Sequence, residues 1–189
     1  MTSLLMGKKL VVVGLDPSLS NLGMCKGTIH LDTNEFTPTD LLLTQTSPSK
    51  AKTTRRNSED LRRAKVLYDS LLDYTKDANI VFVEMPVGSQ TARAAAGYGV
   101  CIALMASIKG LIQVTPREVK LAATGNKTET KNGMIDWGVN KYPDINWLTK
   151  TRKGKQEVLK KNEHLADSLG AVLAGMKTDQ YHQLINLYK

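Results

Sequence analysis

Two short apolar runs, each stopped by a carboxylate, restrict what this chain can fold into more than any other feature. Leu10-Val-Val-Val-Gly-Leu15 is β-branched, apolar throughout, and ends at Asp16-Pro17-Ser18. It is too short for a helix and reads as a strand buried on both faces. Ile80-Val-Phe-Val83 has the same character and ends at Glu84, two residues before Pro86. A carboxylate in such a place is costly to bury unless it is paired or binds a cation. The strand ends of open sheets with parallel neighbours are also where ligands bind. Asp-Pro alone is ordinary turn chemistry, but two acids on separate strands of one core can share one sheet edge.

The surroundings of these runs suggest the rest of the fold. Residues 22–31 and 40–46 are expected as strands forming hairpins with the first. A helix is expected from Asn57, a good N-cap, with Glu59 and Asp60 favouring its first turn. Its apolar face is read as Leu61, Ala64, Tyr68, Leu71 and Leu72. Thr91–Ser107 reads as a small-residue helix, Leu111–Val114 as a strand and Pro116–Lys120 as a short helical turn. Thr128–Asn140 and Asn162–Met176 read as two further helices. This order describes an α/β fold, a mixed five-stranded sheet flanked by helices. With 189 residues, one domain over 1–189 is expected, carrying a basic insertion at about 144–161.

Several classes are set aside. No run approaches the roughly 18 apolar residues of a membrane span, and Lys8 and Lys9 interrupt the start, which is not expected to be a signal peptide. Cys25 and Cys101 make neither a disulfide framework nor a zinc site, so a reducing cytoplasm is expected. The net charge is +8 and is segmental. Residues 50–65 hold seven basic and two acidic groups, 109–131 five and two, and 144–161 six and two, leaving the remainder at −4. Such segments suit a surface that follows a phosphate backbone. The plainer reading is that lysine-rich loops keep the protein soluble.

A third group joins the two acids. In Asn162-Glu-His-Leu-Ala-Asp-Ser-Leu169, His164 and Asp167 stand three apart and share a helix face. By itself this is a polar helix face. Together, Asp16, Glu84, His164 and Asp167 form an oxygen-rich set with one imidazole, which suits Mg²⁺ or Mn²⁺ rather than structural zinc or copper.

These residues resemble the motifs of the RuvC-type Holliday junction resolvases, in order and over about residues 9–176. Val12-Val-Gly-Leu-Asp-Pro-Ser-Leu-Ser-Asn-Leu-Gly23 is similar to the first motif, and Val81-Phe-Val-Glu84 to the second. Thr115-Pro-Arg-Glu-Val-Lys120 with Gly125-Asn-Lys-Thr-Glu-Thr-Lys131 resembles the third block, and His164-Leu-Ala-Asp-Ser-Leu169 the last. The resemblance implies an RNase H-like fold, a bacterial or bacteriophage member, and a homodimer that resolves four-way DNA junctions by paired phosphodiester hydrolysis. It implies two divalent ions, Mg²⁺ or alternatively Mn²⁺, held by Asp16, Glu84, His164 and Asp167, with Asp16 bridging. It places Lys120 and Lys131 near the scissile phosphate. Arg55, Arg56, Arg117, Lys127, Lys150, Arg152, Lys153 and Lys155 are the expected DNA contacts, drawn from the basic segments. The first helix and the small-residue helix offer dimer faces.

Two features depart from the family pattern. The aromatic wedge that often follows the catalytic Glu is missing from Met85-Pro-Val-Gly-Ser-Gln90, with Met85 or Val87 as weak substitutes. Asp144–Lys161 is an addition, either a basic hairpin or a lid. Ribonuclease H proper carries its Glu on the first helix, where Glu59 and Asp60 here look like dipole partners. Sugar kinases and actin-like ATPases need a second lobe. A non-catalytic or broader-specificity branched-DNA protein on the same fold is the remaining alternative.

Overall fold

The structure, a computed structural model, describes residues 8–49, 55–85, 87–88 and 91–188. Residues 50–54 of the first basic segment, and 86, 89 and 90 of the stretch after Glu84, lie outside them.

The chain has an RNase H-like arrangement. Strands β1 (Lys9–Pro17), β2 (Asn21–His30) and β3 (Glu35–Gln45) form an antiparallel meander. β4 (Ile80–Glu84) then pairs parallel with β1, and β5 (Leu111–Val114) parallel with β4. The sheet order is β3-β2-β1-β4-β5. Helix α1 (Arg56–Thr75) crosses from β3 to β4, and α2 (Ala92–Met105) from β4 to β5. After β5 come α3 (Pro116–Thr124), α4 (Lys131–Lys141), the hairpin β6–β7 (Thr149–Arg152, Lys155–Val158), α5 (Asn162–Gly175) and α6 (Asp179–Asn186). No helix among the described residues is long and apolar enough to cross a membrane.

Alternation along the central strands sorts their side chains onto two faces. Leu10, Val12, Ile80 and Phe82 pack with Leu165, Leu169 and Val172 of α5 and with Tyr181 of α6. Val13, Leu15, Val81 and Val83 pack with Leu67, Leu71 and Tyr74 of α1 and Leu104 of α2. Helices α3 and α4 bring Val119 and Met134 against Ala166, Ala171 and Ala174 of α5. Both cysteines are buried and free, and burial pushes their thiols up, to about 12 for Cys25 and about 11 for Cys101.

Some expectations need correction. β1 continues through Asp16 to Pro17, because Asp16 and Pro17 pair with Gly23 and Leu22. β3 starts at Glu35, not 40; its Pro38 is tolerated because β3 is an edge strand with a register shift at Lys26/Gly27. Helix α1 has Arg55 at its cap with no side-chain cap bond, while Asn57 Oδ1 accepts from Ser58 N. The buried face of α1 is Glu59, Arg63, Leu67, Leu71 and Tyr74. Of the residues expected there, only Leu71 is in the core; Leu61, Tyr68 and Leu72 are exposed. The face is turned because Arg63, only 3% exposed, reaches inward. Its Nε donates to Thr46 Oγ1, and its Nη2 to the Leu19 carbonyl and Ser20 Oγ. Helix α4 starts at Lys131, capped by Thr130, rather than at Thr128, and α6 was not expected. The basic stretch after Asp144 is a hairpin. Lys153 and Gly154 turn it with φ of 50° and 76°, a conformation that Gly adopts freely.

Candidate active site

The site grows from the strand period. Leu15 pairs with Val83 in the parallel ladder, so one step further Asp16 stands beside Glu84. Both continue the Val12/Ile80 face, which α5 covers. The N-terminal turns of α5 carry His164 and Asp167 to the same edge, where His164 Nδ1 lies 2.6 Å from Asp16 Oδ2. Two glycines make that approach possible. A Cβ on Gly23 would strike the His164 carbonyl, and one on Gly14 the Ser168 carbonyl. The end of α5 is held by Asn162, fully buried. Its Oδ1 accepts from Leu148 N, and its Nδ2 donates to the carbonyls of Leu148 and Leu159. The hairpin is thus clasped at its base to the helix that bears His164 and Asp167.

Electrostatics mark the edge as short of positive charge. Burial first, then the charges of Asp16 and Asp167, holds the Glu84 carboxyl well above the usual range. Burial and Asp16 likewise raise Asp167. The Lys120 ammonium draws both back down, a smaller effect. Burial alone lowers the His164 imidazolium, but the hydrogen bond to Asp16 and the charges of Asp16, Glu163 and Asp167 raise it on balance. Asp167 Oδ1 is buried and, among the described residues, has no hydrogen-bond partner. An orphaned carboxylate oxygen among repelling acids fits a divalent cation, and the donor set of three carboxylates and one imidazole suits Mg²⁺ or Mn²⁺. As they stand, no three His, Cys, Asp or Glu side chains among the described residues gather tightly enough to hold an ion.

The other expected residues fall as follows. Lys120 lies on α3, half-buried, within electrostatic reach of Glu84 and Asp167. Lys131 is exposed at the start of α4, its Nζ 3.0 Å from Glu163 Oε1, and Glu163 is 3.6 Å from His164 Nε2. Glu163 was not anticipated; its place one residue before His164 was the available signal. Arg55 and Arg56 are exposed at the start of α1, Arg117 on the first turn of α3 and Lys127 between α3 and α4. Lys150 lies 3.3 Å from Glu157 across the hairpin, with Arg152, Lys153 and Lys155 exposed around its turn. Met85 is buried in the core, whereas Val87 is 79% exposed. Glu59 and Asp60 are structural: Glu59 accepts from Arg62 at 2.5 Å and Asp60 takes both ends of Arg93.

No family model and no curated protein matches the sequence. Solved structures do. A Thermus thermophilus RuvC in complex with a Holliday junction substrate matches with a TM-score of 0.58 and 19% identity, over 87% of this chain and 92% of that one. A second Thermus thermophilus RuvC structure matches with a TM-score of 0.55 and 19% identity, over 93% and 96%. At this identity the likeness concerns architecture: this chain has the RNase H-like fold of RuvC, over nearly the whole length of both proteins.

Proposed function

We propose that this protein is a divalent-cation-dependent endonuclease that resolves four-way DNA junctions, acting as a homodimer that makes paired cuts. The observation that carries the reading is the buried Asp167 oxygen, without a partner among the described residues, beside mutually repelling carboxyls at the edge shared by β1, β4 and α5. The fold it shares with a junction-bound RuvC supports the choice of substrate.

Asp16, Glu84, His164 and Asp167 would hold two ions, Mg²⁺ or Mn²⁺. Bound there, such ions supply Lewis acidity toward a phosphate oxygen and an acidified water as nucleophile. The chain's own residues do the rest. His164 holds one oxygen of Asp16 and so orients the carboxylate between its neighbours. Lys120, whose charge reaches Glu84 and Asp167, offsets negative charge developing at the phosphate. Lys131 exchanges Glu163 for a DNA phosphate when substrate arrives. Arg55, Arg56, Arg117, Lys127 and the hairpin cations follow the arms through their phosphates. The exposed apolar residues Leu61, Tyr68 and Leu72 of α1 and Ile102 of α2 support a dimer through those helices. The cytoplasm of a bacterial or phage-infected cell suits buried, free cysteines.

The test is single-turnover cleavage of a synthetic four-way junction beside a linear duplex and an RNA–DNA hybrid, with and without Mg²⁺. Paired cuts in the junction that require the ion support the reading. Equal cutting of the duplex, or cutting of the hybrid in preference, overturns it.

A further inference from the structure

On the far face of β1 from the acids, immediately after Asp16, a cavity of about 490 Å³ opens between the β1–β2 turn, α1 and α2. Its walls include Pro17, Leu19, Arg63, Arg93, Tyr98 and Cys101. The volume falls within the range of small-molecule sites. It accepts one planar ring with its sugar and excludes a duplex.

The walls are fixed in advance. Arg63 clasps the turn through Leu19 and Ser20, and Arg93 ties α2 to Asp60 of α1 through both guanidinium nitrogens. The chemistry of the lining is divided. Leu19, Cys101 and the half-buried Tyr98 offer apolar and aromatic surface to a ring face. The polar groups are mostly donors. The Arg63 Nη1 lies 3.8 Å from Asp60, beyond hydrogen-bond distance, and the Ser20 hydroxyl accepts from Arg63 while keeping its own hydrogen. Thr91 similarly accepts from Ala94 N and keeps a hydroxyl donor. A guanidinium with two hydroxyls that can donate or accept suits the polar edge of a base, whether keto oxygen or amino group. The cavity is also next to the acids: Pro17 in its wall directly follows Asp16, and the Asp16 charge reaches Cys101.

We infer that this cavity receives one unstacked nucleobase from the strand whose phosphate lies at Asp16, and so selects where that strand is cut. The inference rests on the nuclease reading above. The pocket face of α2 (Ala94, Gly97, Tyr98, Cys101) lies about a third of a turn from the exposed face that carries Ile102, so the pocket and the proposed dimer face use separate sides of one helix.

Gly97 gives the test. A Cβ there meets only Leu19, at 3.6 Å, so Gly97→Ala fits and leaves the cavity open, whereas Gly97→Met fills it. 5-Iodouracil is placed in turn at positions around the centre of a four-way junction, and at the same positions in a duplex and a single strand. Each DNA is irradiated with the wild-type chain in EDTA. The expected result is a crosslink to Tyr98 from one position, kept in Gly97→Ala and reduced about tenfold or more in Gly97→Met, the discrimination one good base contact provides. Ala94→Leu, which crowds the same cavity from α2, replaces Gly97→Met should that variant not fold by circular dichroism. Crosslinks that spare Tyr98 at every position, or equal yields in the open and filled variants, overturn the pocket. A Tyr98 crosslink from the single strand but none from the junction keeps the pocket and counts against the junction reading.

Discussion

Two groups of buried charge lie at neighbouring ends of this molecule and are treated in opposite ways. At the start of α1, each acid has a cation: Glu59 has Arg62, Asp60 has Arg93 and Arg63, and Arg63 also bonds Thr46, Ser20 and the Leu19 carbonyl. At the ends of β1 and β4, Asp16, Glu84 and Asp167 repel one another. Among the described residues one oxygen of Asp167 has no partner, and the only bonded positive group is the titratable His164, with Lys120 acting at a distance. The first arrangement is satisfied without help and holds the β1–β2 turn in place. The second is held by the rest of the fold, and under the proposed function a cation would complete it. Unpaired buried charge of this kind marks function, whereas paired charge marks architecture.

The largest effect that separates the two groups concerns the reaction. Asp16→Asn should slow junction cleavage by about 10³-fold or more in single-turnover assays while junction binding persists in gel shifts. Asp60→Asn should alter cleavage far less. Unchanged cleavage in Asp16→Asn would remove the site.

The next effect is on stability, with opposite signs. Arg63→Met removes three buried hydrogen bonds, to Thr46 Oγ1, the Leu19 carbonyl and Ser20 Oγ, and a cation near Asp60, and should destabilise by about 3 kcal/mol in urea unfolding. Asp167→Asn relieves repulsion and should stabilise the ion-free protein by about 1 kcal/mol, roughly 2–4 °C in Tm. A loss of stability in Asp167→Asn would show that the carboxylate has a partner.

Acid dependence sharpens the contrast. Glu84 and Asp167 are raised in the fold, so between their unfolded values of 4.5 and 3.8 and their higher folded ones the native state binds more protons. Ion-free stability from this pair therefore falls as pH rises from about 4 toward neutrality. Glu59 and Asp60 are lowered, so their share is present above their unfolded values and fades as pH drops below them. Thermal melts from pH 4 to 8 should show the first slope in EDTA and lose it with Mg²⁺ or in Glu84→Gln/Asp167→Asn.

How far the sequence foretold these two groups follows the same division. The acids of β1 and β4 were legible because a short run that is apolar throughout must end somewhere, and each ended at a carboxylate. Asp167 and His164 followed from helical spacing. The face of α1 was misread, since burying Arg63 and exposing Leu61 contradicts hydropathy. The reason lies in Leu19, Ser20 and Thr46, distant in sequence. The closeness of α5 to the sheet at Gly14 and Gly23 is likewise a tertiary fact that no local pattern contains. The clasp of Asn162 on the hairpin base was hidden for the same reason.

The smallest effect concerns cations that belong to neither group. Replacing Lys150, Arg152, Lys153 and Lys155 together by Gln should change stability by less than about 0.5 kcal/mol, because all four side chains are exposed. It should flatten the slope of log affinity against log salt by at most about 3 to 4 and weaken junction and duplex alike. Retained duplex affinity with lost junction discrimination would instead make the hairpin a reader of branch geometry, in place of the missing aromatic wedge.

The most direct measurement is Mn²⁺ binding, followed by electron paramagnetic resonance, in the wild-type chain, Asp16→Asn and Asp60→Asn. The unpaired acids should bind the ion in the wild type and in Asp60→Asn, and binding should collapse in Asp16→Asn. Equal binding by Asp16→Asn and the wild type would contradict the assignment of this edge as the cation site.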